Sequence, residues 1–64
     1  MTKRNFDKMF KNNILPQLKK NELAGVDKPA RRESYNMTTD QWTKDGILTL
    51  KQYNSFIIPN QFLN

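Results

Sequence analysis

The sequence predicts a small all-α domain of three helices, or four short ones, built without a disulfide or a metal. Three observations point there. Phe6, Phe10 and Ile14 recur every four residues, the period of one helix face. Gly46 is placed to end a helix, with Trp42 before it and Ile47 after it. Thr49-Leu50-Lys51-Gln52 has the spacing of a capping box, in which Thr and Gln side chains satisfy each other's backbone N–H groups.

The first helix is expected from Asn5 to about Leu15, with Phe6, Met9, Phe10 and Ile14 on one side and Arg4, Lys8 and Lys11 on another. Pro16 lacks a backbone donor and disfavours helical geometry at Leu15. The helix should therefore kink there, or stop and restart with Pro16 in its first turn. Leu18, with Leu23 as a further candidate, extends the apolar face, and Asn21 to Pro29 reads as a connector. A second helix should start near Lys28 to Ala30, capped by Asp27, and run to Lys44. Its inner face would be Ala30 or Arg31, Tyr35, Thr38 and Trp42, and its Schellman ending would pair Ile47 with Trp42. The third helix should run from Leu50 to about Ile57. Leu48 would staple onto Tyr53, and Leu50, Tyr53, Phe56 and Ile57 would face inward until Pro59 stops the run. Ile58, Phe62 and Leu63 form an apolar tail over residues 58–64 that either closes over the bundle or meets another molecule. Strands at Ile47 to Leu50 and Ser55 to Ile58 are the competing reading, and the capping signals oppose it.

Composition narrows the chemistry. The 64 residues include neither cysteine nor histidine, which removes thiolate and imidazole metal ligands, a cysteine nucleophile and a Ser-His-Asp relay. The carboxylates form no close pair, and Asp40 to Gly46 lacks the alternating oxygen ligands of a calcium loop. With only two glycines there is no phosphate-binding glycine loop. A non-enzymatic protein with no cofactor is the expectation. The longest run of large apolar residues, Phe56-Ile57-Ile58, is too short for a signal-peptide core or a membrane span, so a single cytoplasmic domain over residues 1–64 is expected.

The formal charge of +5 is local. Lys3, Arg4, Lys8, Lys11, Lys19 and Lys20 face only Asp7 within residues 1–21, whereas the rest of the chain is balanced. Two functional readings follow. In the first, Arg31, Arg32, Tyr35 and Phe62 contact a protein partner, because arginine and aromatic side chains combine large area with hydrogen-bonding capacity. In the alternative, Arg4, Lys8, Lys11, Lys19 and Lys20 neutralise nucleic-acid phosphates. A membrane-surface role would strip Phe6, Phe10 and Ile14 from a thin core and ranks below both. A helix-turn-helix across Gly46 meets Trp42 where that motif needs a small residue, which leaves a plain helical hairpin.

The string Ala30-Arg31-Arg32-Glu33-Ser34-Tyr35-Asn36, then Lys44-Asp45-Gly46-Ile47-Leu48-Thr49 and Gln52-Tyr53 ahead of Pro59, resembles a pattern seen in short bacteriophage proteins. It covers the C-terminal half. The resemblance implies an accessory factor of the host cytoplasm that binds a host or phage macromolecule, and it carries over no site residue.

Overall fold

The computed structural model describes residues 1–64 and is wholly helical. Its elements are α1 (Lys3–Met9), a π turn (Phe10–Ile14), α2 (Leu15–Asn21), α3 (Lys28–Lys44), α4 (Leu50–Ser55) and a 3-10 turn (Asn60–Leu63). α1, the π turn and α2 run on as one rod, so three helices make the domain, as the sequence predicts.

The rod starts where the Thr2 hydroxyl accepts the Asn5 N–H at 3.2 Å. Its π turn answers a spacing problem. Phe6 and Phe10 are four residues apart, but Leu15 follows after five. At about 100° per residue an uninterrupted α-helix would aim Leu15 roughly opposite Phe6. The π turn accommodates the extra residue, with the Leu15 N–H donating to the Phe10 carbonyl, and returns Leu15 and Leu18 to the core side. Pro16 sits in the first turn of α2 and needs no partner for its nitrogen. Of the two expected outcomes the structure takes the restart with Pro16 in the first turn, reached through a wider turn rather than a break in the chain.

α3 begins with the Asp27 carboxylate accepting the Ala30 N–H at 3.1 Å. It ends in a complete Schellman pattern: Ile47 N–H donates to the Trp42 carbonyl at 2.9 Å, Gly46 N–H to that of Thr43 at 3.1 Å, and Gly46 has φ +79°. Leu48 N–H also reaches Trp42 at 3.2 Å. Burial then falls on Leu48, while the Ile47 side chain expected against Trp42 is about half exposed. The inner face of α3 is Arg31, Tyr35 and Thr39, spaced four apart; Thr39, not Thr38, is buried, and its hydroxyl donates to the Asn36 carbonyl at 2.8 Å.

The Thr49–Gln52 capping box forms in both directions, at 3.1 and 2.9 Å. α4 nevertheless stops at Ser55 and buries none of its residues. Leu50 and Ile57, expected inside, are 68% and 71% exposed, and Tyr53 is exposed as well. Helical periodicity carries the inward set through Ile57, but Phe56 is already extended, with ψ 121°, so Ile57 leaves the helical face, while Leu50 and Tyr53 belong to a helix of 6 residues that buries none of them. The apolar tail closes over the bundle: Ile58, Phe62 and Leu63 join Phe6, Phe10, Leu15, Tyr35 and Leu48 in the core.

Two rings on α1 organise that core. Phe6 lies 5.2 Å from Tyr35, 5.2 Å from Trp42 and 5.5 Å from Phe56, centroid to centroid. Phe10 lies 5.1 Å from Tyr35 and 5.9 Å from Phe62. Offset and edge-on pairs of this kind add to the area they bury. Replacing Phe6 with alanine should cost about 3–5 kcal/mol, the scale of the whole net stability of a domain this small. Phe6→Ala should therefore lose its cooperative melting transition in far-UV circular dichroism, whereas Leu50→Ala, at an exposed position, should melt as the parent does.

Candidate nucleic-acid interface

Arg31, Tyr35 and Phe62, expected at a partner surface, lie inside the protein and hold it together. The Arg31 side chain is 2% exposed. Its Nε and Nη2 donate to the two Glu22 carboxylate oxygens at 2.8 and 2.5 Å, and Nη1 donates to the Phe62 and Asn64 carbonyls at 2.9 and 3.3 Å. Glu22 also accepts the Asp27 backbone N–H at 3.0 Å. One guanidinium therefore ties the end of α2, the start of α3 and the C-terminal turn, using the planar fork that distinguishes arginine from lysine. Only Arg32 of the four remains on the surface. Sequence reasoning passed over Glu22, whose pairing with Arg31 spans the connector and leaves no local spacing signal.

Tyr35 donates its hydroxyl to Asp7 Oδ1 at 2.6 Å, and Lys3 Nζ contacts Asp7 Oδ2 at 2.5 Å. Burial, reinforced by the hydrogen bond to Asp7 and its charge, pushes the Tyr35 phenol well above its ordinary value of 10.0. It stays a neutral donor and fixes the half-buried Asp7 against α3.

The basic residues take the opposite place. Arg4, Lys8, Lys11, Lys19 and Lys20 are all exposed and form no ion pair; the three ion pairs of the protein use Lys3, Arg31 and Lys44. Arg4, Lys8 and Lys11 border an open cleft of about 520 Å³ between α1 and the C-terminal turn, completed by Lys3, Asp7, Gln61 and Phe62. Lys3 offsets Asp7 there, which leaves three cations facing solvent without a counterion. Such a cleft attracts anions, more so at low ionic strength. No group of three or more histidine, cysteine or acidic side chains is placed to hold a metal ion. No helix is long and apolar enough to cross a membrane.

The Arg31 guanidinium, helped by the Asp27 N–H and opposed by burial, holds the Glu22 carboxyl below its ordinary value of 4.5. A carboxylate with a lowered folded-state value adds stability that is present above the unfolded value and disappears as pH falls through the folded one. Melting temperature should thus drop as pH is lowered from 4.5 toward acid, and Glu22→Gln should start lower and show a flatter dependence over that window. Thermal melts of both proteins between about pH 3 and pH 7 test this, and parallel curves would detach Glu22 from the acid response.

No protein-family model matches the chain, and neither a curated protein nor a solved structure matches it.

Proposed function

We propose that this protein acts without catalysis, by binding the phosphate backbone of nucleic acid through the outer face of the α1–α2 rod. The observation that carries this reading is the pairing pattern: Arg4, Lys8, Lys11, Lys19 and Lys20 are exposed and free of carboxylate partners, whereas Lys3, Arg31 and Lys44 are the cations paired with carboxylates, at Asp7, Glu22 and Asp40. Unpaired cations on a rigid helix neutralise phosphates and release condensed counterions, which makes binding steeply salt-dependent. Retention on nucleic acid should fall by roughly one to three orders of magnitude between about 50 and 200 mM salt. The double variant Lys8→Glu/Lys11→Glu should reduce the slope of log affinity against log salt by about 2 with helicity unchanged. Salt-insensitive retention, or an unaltered slope in the variant, would reject the reading.

A protein partner is the second reading, and the exposed apolar side chains around α4 favour it: Ile47, Leu50, Tyr53 and Ile57 all stand in solvent. It no longer rests on Arg31, Tyr35 or Phe62, because a partner cannot reach them without opening the core. Capture of a protein that Leu50→Glu/Ile57→Glu abolishes, with circular dichroism unchanged, would support it; capture that survives both substitutions would not.

A further inference from the structure

The rod carries its charge farther than the cleft. Lys19 and Lys20 lie on α2, beyond the π turn, and their direction around the axis depends on that turn. At about 100° per residue, an unbroken α-helix would turn Lys20 roughly 160° away from Arg4. The extra residue taken up by the π turn rotates everything after it back by about one residue's angle. Arg4, Lys8, Lys11, Lys19 and Lys20 then fall within an arc of roughly 100°, away from the face that buries Phe6, Phe10 and Leu15. The turn that brings Leu15 to the core thus also aligns the two halves of the basic face. From Arg4 to Lys20 the stripe extends about 24 Å at 1.5 Å per residue, close to seven base-pair steps of 3.4 Å.

The aromatic side chains supply the second observation. Binding of single strands relies on rings onto which bases stack, at about 1–3 kcal/mol per base. Here Phe6, Phe10, Tyr35 and Phe62 are buried, and Trp42 and Phe56 pack against the core. Tyr53, the exposed ring, belongs to α4. The basic stripe therefore offers charge without a stacking platform. A row of cations carried on consecutive helical elements suits the denser and stiffer phosphate array of a duplex.

From these two observations, and resting on the backbone-binding reading above, we infer that the ligand is a nucleic-acid duplex, held along the whole rod by Arg4, Lys8, Lys11, Lys19 and Lys20. Four of the five cations are lysines, whose ammonium groups lack the fixed planar fork of arginine, so affinity should vary little with sequence.

Fluorescence anisotropy with a labelled DNA duplex of about 20 base pairs and with its separate strands, at about 50 mM salt, tests the inference. The duplex should bind at least tenfold more tightly than either strand. Lys19→Gln/Lys20→Gln should lower the salt slope as much as Lys8→Gln/Lys11→Gln does, and Lys44→Gln/Lys51→Gln, with the same loss of charge off the rod, should leave it unchanged. Neutral glutamine at these exposed positions keeps the helix, which circular dichroism checks for each variant. Equal or tighter binding of a single strand, or an unchanged slope in the Lys19/Lys20 variant, would overturn the duplex assignment while backbone binding stood. Failure of duplex and strands alike to bind would overturn both.

Discussion

The buried Arg31 guanidinium is the constraint on which the arrangement of segments depends. A cation inside a protein is costly unless it is paired and its donors are satisfied, and here Glu22 and two C-terminal carbonyls take four of its N–H bonds. Those acceptors come from two separate stretches of chain, so satisfying one side chain of α3 fixes three segments relative to one another. No buried polar side-chain atom in the protein lacks a partner. In a core of eight apolar residues, these bonds supply direction that apolar contacts lack, and removing either partner would leave a buried group unpaired.

Polar anchoring and aromatic packing divide the work along α3. Toward its N-terminus Arg31 secures the end of α2 and the C-terminal turn. One turn on, Tyr35 bonds to Asp7 and lies edge-on to both Phe6 and Phe10. Farther along, Trp42 completes the Phe6 cluster and its carbonyl receives the chain as it reverses after Gly46. Because the rod presents its apolar side to all of these, its cations are left on the outside. The segregation of charge is in this sense a by-product of where the core must sit.

Much of this could be read from the sequence, where the signal is local. Asp27 as a cap, Gly46 as the left-handed stop and the Thr49–Gln52 box each depend on a handful of neighbouring residues, and each is found in place. Long-range preferences were the harder part. Arg31 looks like a surface residue because arginine is seldom fully buried, and nothing near it reveals that Glu22 and the C-terminal turn converge on it. Periodicity places Ile57 inside because it does not mark where the backbone becomes extended, and it places Leu50 inside although α4 turns no residue into the core. The π turn, likewise, is visible only in hindsight in the five-residue step from Phe10 to Leu15. The basic face was legible as composition, but the alignment of its two halves needed the turn.

α4 has a capping box at one end and extended chain at the other, yet contributes nothing of its own to the interior. Buried Leu48 and Ile58 grip the chain on either side of it. Within α4 itself the tie to the rest of the protein is polar, from the Gln52 side chain to the Met1 carbonyl, so opening the helix exposes little new apolar surface. Its amide protons should exchange with solvent by local opening, ahead of those of α3 next to buried Tyr35. The protein thus pairs a rod packed along the core with an edge helix that stands outside it, and the two should differ in exchange timescale as well as in charge.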